Sequence, residues 1–187
     1  MQAELFTDAS SLPQGFCYQL DLITAGEEAA LAEWISALPL KPFEFHGYTG
    51  SRRVVSFGYH YDYQRRAVED AASFPFPLLS LRQKIAGFAG RPPQTFVQAL
   101  VTEYAPGSPI GWHRDKKEFG EVVGVSLLSS ARLRFRRQAG AGWERREQLL
   151  APRSSYLLSG DARQGWEHSI PPQQELRYSI TFRTLAK

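Results

Sequence analysis

Cysteine is nearly absent from this 187-residue chain, in which Cys17 is the one cysteine. A single thiol forms no internal disulfide, and it supplies too few ligands for a cysteine-rich zinc module or an iron–sulfur cluster. No apolar run approaches the ~18 residues that a membrane-spanning helix needs. The first residues also lack the basic and apolar regions of a signal peptide. We therefore expect a cytoplasmic protein with no membrane contact, and the absence of targeting signals favours a bacterial cytoplasm.

Net charge is also low. The chain carries 22 Lys and Arg against 19 Asp and Glu, so its formal charge of +3 does not by itself indicate a polyanionic partner. Most of the cations are Arg, whose forked donors suit carboxylates and phosphates. A content of 43% apolar and 22% charged residues is ordinary for a folded protein. The length predicts one domain, residues 1–187.

Two helices are predicted in the N-terminal half. The first begins after Thr24, which has Glu27 at the spacing of a capping box, and it ends before Pro39. The second runs from about residue 77 to residue 88 and ends at Gly90. Short apolar segments also predict strands at residues 15–23 and 53–57.

Strands replace helices after residue 94. The predicted strands are residues 95–104, 122–128, 132–136, 148–150, 155–158 and 176–184. Helices that precede strands, rather than alternating with them, argue against a parallel α/β sheet. We therefore expect an α+β fold in which residues 94–187 form a jelly roll, or double-stranded β-helix, and residues 1–93 form an N-terminal extension whose helices pack against it.

A metal site is the first chemical feature that the sequence predicts. His113 and Asp115 are two residues apart, so in an extended segment both side chains project to one side. His168 offers a third ligand from the predicted loop between the last two strands. Two His and one carboxylate leave three positions of an octahedral iron open, as non-haem Fe(II) oxygenases require. Because the H-x-D pattern also occurs by chance, an ordinary polar segment stays open as an alternative.

The last predicted strand alternates polar and apolar residues. Arg177, Ser179 and Arg183 therefore share one face, and the two Arg Cα atoms lie about 20 Å apart. Side chains that lean inward from both ends could bracket a small dicarboxylate. Thr102 and Tyr104 share a face of a second alternating strand, from which the Tyr104 hydroxyl could reach the same ligand. A solvent-facing edge strand with ordinary charges explains the alternation equally well.

The ordered motifs closely resemble those of the AlkB family of Fe(II)/2-oxoglutarate-dependent dioxygenases. They are Tyr104-Ala105-Pro106-Gly107, His113-x-Asp115, His168 and Arg177-x5-Arg183. Residues 53–63 resemble the segment that covers the substrate in this family, which implies a substrate-covering lid. The resemblance spans most of the chain after about residue 15.

The resemblance implies a role for each motif residue. His113, Asp115 and His168 would ligate Fe(II). Arg177 would pair with the distal carboxylate of 2-oxoglutarate with help from the Tyr104 hydroxyl. Arg183 would lie near the 1-carboxylate of 2-oxoglutarate and near Asp115. With O2, the family oxidises a C–H group of its substrate while 2-oxoglutarate is converted to succinate.

Three residues depart from the family pattern. Thr102 and Ser179 stand where many members have Asn residues that line the 2-oxoglutarate site, and either hydroxyl could substitute. Lys117 stands where DNA-repair members often have an acidic residue near the bound base. The base preference of those members therefore does not transfer directly to this chain.

Arg clusters and an aromatic lid segment favour a nucleic-acid substrate. Arg132, Arg134 and Arg136 alternate along one predicted strand, which suits phosphate contacts, although a solvated face paired with Glu is a competing interpretation. The candidate substrate-binding residues are Arg53, Tyr59, Tyr61, Trp112 and Lys117.

The favoured function is oxidative dealkylation of nucleobases in alkylated DNA or RNA by a monomeric enzyme, because a flipped or single-stranded base can reach a buried iron. One alternative is a dioxygenase that hydroxylates a tRNA modification, a protein side chain or a small molecule. Another is a non-catalytic metal-binding jelly roll that binds nucleic acid.

Overall fold

The computed structural model describes residues 12–45, 48–62, 65 and 67–186. Tyr63, the last residue of the predicted lid, lies outside the described residues. In chain order the elements are β1 (Phe16–Gln19), α1 (Ala25–Ser36), β2 (Lys41–Phe45), β3 (Tyr48–Phe57), β4 (Tyr59–Asp62), β5 (Ala67–Asp70), α2 (Phe76–Ala89), β6 (Gln98–Tyr104), β7 (Ile110–His113), β8 (Phe119–Leu127), β9 (Ala131–Ala139), β10 (Gly142–Leu150), β11 (Ser155–Leu158), α3 (Gly160–Gln164), β12 (Glu167–Ile170) and β13 (Arg177–Leu185).

The capping residues predicted from sequence set the helix boundaries. The Thr24 side chain accepts a hydrogen bond from the Glu27 backbone N–H, and the Glu27 carboxylate accepts one from the Thr24 N–H, so the capping box is confirmed. At the end of α2, Gly90 adopts φ 63°, a left-handed conformation that glycine takes without steric cost. Both helices therefore begin and end within about two residues of their predicted limits.

Two sheets form the core of the expected α+β jelly roll. The major sheet has the strand order β1-β11-β8-β13-β6-β3-β2, and the minor sheet has the order β10-β9-β12-β7. The last strand, β13, pairs with β8 on one side and β6 on the other. It is therefore a central strand, and the alternative of a solvent-facing edge strand is wrong.

Apolar side chains fill two separate regions. On the outer face of the major sheet, α1 and α2 pack against strand residues that include Val101, Val125 and Ile180. Between the sheets, a second cluster forms around Leu133 and Phe135 of β9. The rest of the space between the sheets is lined by polar side chains from the centre of the major sheet, which is where a ligand can bind.

Several strands differ from their predicted limits. His168, expected on a loop, lies in β12, a short strand that β7 and β9 hold by pairing on both sides. Four residues with no clear alternation carry little strand signal, so tertiary pairing determines this element. Strand β10 extends far beyond the predicted residues 148–150 because β9 pairs with it along its full length. Strand β1 is shorter than predicted.

The predicted lid segment continues from β3 into a hairpin of β4 and β5. Gly58 joins β3 to this hairpin with φ 76°, and a Cβ there would overlap the Val97 carbonyl oxygen. Glycine is therefore required at the point where the chain leaves the major sheet. No helix in the described ranges is long and apolar enough to cross a membrane.

Candidate iron and cofactor site

Two paired strands bring the predicted metal ligands together. His113 ends β7 and stands directly opposite His168 of β12, with the two ring centroids 4.3 Å apart. Asp115 follows two residues after His113. One ligand atom from each of the three side chains lies within 4.8 Å of the others. The three residues, called the triad below, therefore converge as the sequence spacing predicts.

The Asp115 carboxylate is buried and charged. Arg183 donates to its Oδ1 from Nε at 3.2 Å and from Nη2 at 2.9 Å, while Oδ2 lies 3.5 Å from His168 Nε2. Burial opposes ionisation, but Arg183, with smaller contributions from the two His, holds the pKa of Asp115 well below its ordinary value. Gln98 accepts a further bond from Arg183 Nη1 at 3.0 Å, which fixes the guanidinium. Asp115 is therefore an anionic ligand held in one orientation.

Both His side chains can present a neutral nitrogen. His113 Nδ1 is 2.9 Å from the Gly111 carbonyl oxygen; because a carbonyl only accepts, this nitrogen carries a proton, and Nε2 is the nitrogen that could ligate a metal. Burial, together with His113, lowers the pKa of His168 to about 3, so its ring is neutral at physiological pH. Two neutral imidazoles and one carboxylate form the donor set of a non-haem Fe(II) site.

Arg177 is a buried cation with unused donors. Its side chain is 0% exposed, its Nε donates to Ser126 Oγ at 3.0 Å, and its Cζ lies 5.0 Å from the centre of the Tyr104 ring. Nη1 and Nη2 are buried without a hydrogen-bond partner in the described structure. Two parallel donors on a buried cation fit a carboxylate, which would satisfy both at once. The distal carboxylate of 2-oxoglutarate has this chemistry.

Strand register places the other predicted cofactor residues on the same inner face. On β6, Tyr104 is opposite Arg177 and Thr102 is opposite Ser179. Directly opposite residues of antiparallel strands project to the same side of the sheet. The four side chains therefore line one continuous surface that ends at Arg183 beside the triad.

Tyr156 also belongs to this surface, and sequence reasoning missed it. Its ring lies over Gly124 of the neighbouring β8, where any Cβ would overlap the ring and its hydroxyl. Burial raises the pKa of Tyr156 to about 12, and its charge environment includes Arg177, Tyr104 and Asp115. The phenol is therefore a protonated donor between the two ends of the candidate cofactor site. The only sequence signal was Gly124 between the valines of the predicted strand, since a glycine inside a strand indicates close approach of a neighbour.

Arg163 was also missed. This buried side chain of α3 donates to the carbonyl oxygens of Gly120 at 2.8 Å, Lys116 at 2.7 Å and Phe119 at 2.7 Å. These carbonyls belong to the turn that follows Asp115 and to the start of β8. Arg163 therefore holds the backbone that positions one metal ligand. No spacing rule connects it to Asp115, because the two residues meet only in the folded chain.

The candidate substrate-binding residues occupy different surroundings. Arg53 makes two hydrogen bonds to Glu103, at 2.7 and 2.8 Å. Tyr61 of the hairpin lies 5.0 Å from Lys116 Nζ, which brings that ring beside the residue after Asp115. Tyr59 is half-buried and Lys117 is exposed. Trp112 contacts Arg134 and Arg136 on the outer face of the minor sheet, on the side of β7 opposite to His113.

Comparisons with known proteins agree with this geometry. Residues 36–183 match the model of the 2OG-Fe(II) oxygenase superfamily. The chain is 27% identical over 176 residues to the tRNA (carboxymethyluridine(34)-5-O)-methyltransferase ALKBH8 of Mus musculus, covering 88% of this chain and 25% of that protein. It is 28% identical over 175 residues to the Alkylated DNA repair protein ALKBH8 homolog of Arabidopsis thaliana, covering 81% of this chain and 49% of that protein. The chain thus spans half or less of the length of these relatives.

A solved structure supports the same fold. The structure of OsALKBH1 superposes with a TM-score of 0.70 at 17% identity, covering 92% of this chain and 97% of that one. The match of the family model to most of the chain, the AlkB-like relatives and the assembled triad lead to one assignment. The chain belongs to the 2OG-Fe(II) oxygenase superfamily as an AlkB-like oxidoreductase, and its cofactors are Fe(II), 2-oxoglutarate and O2.

Proposed function

We propose that this enzyme removes alkyl groups from nucleobases of DNA or RNA by oxidation, acting as a monomer in which residues 1–187 form one domain. The observation that carries the oxidative chemistry is the pairing of the triad with Arg177, whose two buried terminal nitrogens have no partner in the described structure. The nucleic-acid substrate is supported by the relatives, since one is named as an alkylated DNA repair protein homolog and another as a tRNA methyltransferase.

The roles of the site residues follow from their contacts. His113, Asp115 and His168 would hold Fe(II), and Arg183 would keep Asp115 anionic. Bound iron would supply the oxidation of a substrate C–H group by O2, coupled to conversion of 2-oxoglutarate to succinate and CO2. For an N-methyl group, the hydroxylated carbon would leave as formaldehyde and the N–H would be restored.

The inner face of the major sheet would orient 2-oxoglutarate. Arg177 would bind its distal carboxylate through Nη1 and Nη2, and the hydroxyls of Tyr104 on β6 and Tyr156 on β11 would donate to it. Thr102 and Ser179 would line the site between Arg177 and the triad. Because this surface is buried, it would also exclude water from the reacting groups.

The substrate would enter on the side of the hairpin formed by β4 and β5. Tyr59 and Tyr61 offer aromatic faces there. Lys117 offers positive charge beside the turn after Asp115, and Arg53, which is paired with Glu103, lies on β3. These assignments, and the covering role of the hairpin, rest on the contact between Tyr61 and Lys116. Trp112 would act from the opposite face of β7, away from the reacting carbon.

A product assay tests the proposal. The iron-loaded protein is incubated with 2-oxoglutarate and with methylated single-stranded DNA, duplex DNA or RNA, and both formaldehyde and succinate are measured. We expect equal amounts of both products with at least one nucleic acid and neither product with His113→Ala. Dealkylation would be overturned if succinate formed but no nucleic acid released formaldehyde or lost methyl groups.

The relative whose name includes tRNA favours a second candidate, hydroxylation of a modified tRNA base without loss of carbon. The two reactions have different products. Hydroxylation adds one oxygen to the nucleoside and releases no formaldehyde. Mass spectrometry of nucleosides from treated tRNA therefore distinguishes them.

A further inference from the structure

The outer face of the minor sheet carries two Trp side chains among several Arg. Side chains alternate along each strand, so those on this face point away from the triad. The residues, called the Trp–Arg face below, are Trp112 of β7; Arg132, Arg134 and Arg136 of β9; Trp143, Arg145 and Glu147 of β10; and Glu167 and Ser169 of β12. The candidate iron site uses none of them as a ligand.

Contacts across all four strands hold the centre of this face in place. The Arg136 Cζ lies 4.5 Å from the Trp112 ring centre and 4.3 Å from that of Trp143, so its guanidinium is flanked by both rings. Its Nε donates to Glu167 at 2.7 Å. Arg134 lies 5.1 Å from the Trp112 ring. The aromatic and cationic groups are therefore ordered before any ligand arrives.

Charge on this face is predominantly positive. Four Arg side chains meet two Glu side chains, of which Glu147 pairs with Arg132 and Glu167 pairs with Arg136. Arg134 donates to a neutral partner, Ser169 Oγ, and Arg145 forms no ion pair with a carboxylate in the described ranges. Two cations on this face thus remain without an acidic partner, and Trp143, two residues from Arg145 on the same side of β10, is 42% exposed.

We propose that the Trp–Arg face binds a single-stranded nucleic acid, with phosphates on Arg134 and Arg145 and bases stacked on the exposed Trp143 ring. Ordered aromatic rings between cations are the arrangement by which proteins bind single strands without reading their sequence. Strand β7 is the edge of the minor sheet, and Trp112 and His113 are consecutive residues on its two sides. A strand on this face can therefore pass around β7 toward the triad.

This inference deepens the proposed function, because the Trp–Arg face would hold nucleotides that flank the reacting base. Its test measures binding alone. Fluorescence anisotropy is recorded with labelled single-stranded RNA, single-stranded DNA and duplex DNA of about 15 nucleotides, with neither metal nor 2-oxoglutarate. The binding result can therefore be interpreted even if the oxidation reaction fails.

Two pairs of variants give matched comparisons. Trp143→Ala is compared with Phe76→Ala, which removes another exposed aromatic ring (80% exposed) from α2. Arg145→Ala is compared with Arg91→Ala, which removes another exposed Arg, paired with Glu121. We expect Trp143→Ala to weaken single-strand binding about 5- to 150-fold. Arg145→Ala should weaken it and reduce the salt slope by about 0.7. The two control variants should bind as the wild type does.

Three results would overturn the proposal. The first is equal weakening by Trp143→Ala and Phe76→Ala, and the second is duplex binding that is as tight as single-strand binding and insensitive to Trp143. The third is a dimer in sedimentation that Trp143→Ala dissociates, since a second copy would then cover this face. RNA and DNA arms separate the two sources of single strands, and binding of either supports the proposal.

Discussion

At the scale of single residues, burial determines which groups the site can bind. Arg177 is a fully buried cation with two donors from which no described protein group accepts, and the burial of such a charge costs free energy that a bound carboxylate would offset. The Asp115 side chain is also largely buried, at 8% exposed, but Arg183 already compensates its charge. One residue is therefore prepared for an external anion and the other for a metal.

Arg177→Met is expected to weaken 2-oxoglutarate binding without destabilising the fold. Loss of a bidentate charged contact removes about 2–4 kcal/mol, which is a rise of roughly 30- to 900-fold in the 2-oxoglutarate KM. The ligand-free variant should be at least as stable as the wild type, since an uncompensated buried charge is gone. Steady-state kinetics with varied 2-oxoglutarate and a denaturant titration measure the two effects. Arg91→Met is the control, and an unchanged KM in Arg177→Met contradicts the assignment.

Residue spacing was sufficient to predict which side chains converge in the candidate site, but it did not indicate the residues that support them. His113 and Asp115 are near in sequence, and Arg177 and Arg183 share one strand, so period-two geometry relates them directly. Arg163 acts across 43 or more residues on three backbone carbonyls, and any residue type can supply a carbonyl. No side-chain pattern marks such a contact in advance.

At the scale of elements, the register of β13 aligns the site. Its pairing with β6 and β8 sets Ser179 opposite both Thr102 and Ser126, so polar residues of three strands meet on one face. Alternation in the sequence predicted each face separately. It could not predict that β13 is central, because buried polar residues that await a ligand look the same as solvent-exposed ones.

Substitutions at Gly124 of β8 and Tyr156 of β11 are expected to have strongly coupled effects on the free energy of unfolding. Gly124→Ala places a methyl group where the Tyr156 ring lies, which should destabilise the fold by about 1–3 kcal/mol. Tyr156→Leu vacates that space. The double variant should therefore be more stable than the sum of the single effects predicts, by at least about 1 kcal/mol. Denaturant unfolding of the four proteins measures this coupling, and strict additivity would show that ring and backbone do not compete for the space.

At the scale of the whole molecule, the space between the sheets is divided between an apolar cluster and a polar site. Leu133 and Phe135 fill one part, whereas Arg177, Asp115 and the neighbouring hydroxyls line the other. Composition and strand count were enough to predict the jelly roll. The division was not predictable, since it depends on which strand residues face inward at each end.

Metal and cofactor together are therefore expected to stabilise the entire fold. Mn²⁺ is used in place of Fe(II) because it is not oxidised during the measurement. With Mn²⁺ bound, 2-oxoglutarate at about 100 times its Kd should raise the free energy of unfolding by about 2.7 kcal/mol, which raises Tm by roughly 5–10 °C. The shift with 2-oxoglutarate should require Mn²⁺ and should be lost in His113→Ala. Differential scanning calorimetry with and without a chelator measures it. An equal shift in the metal-free protein would mean that 2-oxoglutarate binds away from the triad.

The central place of β13 also has a consequence for the order of synthesis. β6 and β8 leave the ribosome first, yet neither can pair with the other because β13 must come between them. Arg177 and Arg183 arrive only with that strand. A nascent chain therefore cannot hold the co-substrate and the Asp115 carboxylate in place before residue 183 has emerged. The site can support oxidation only after β13 has paired with both β6 and β8.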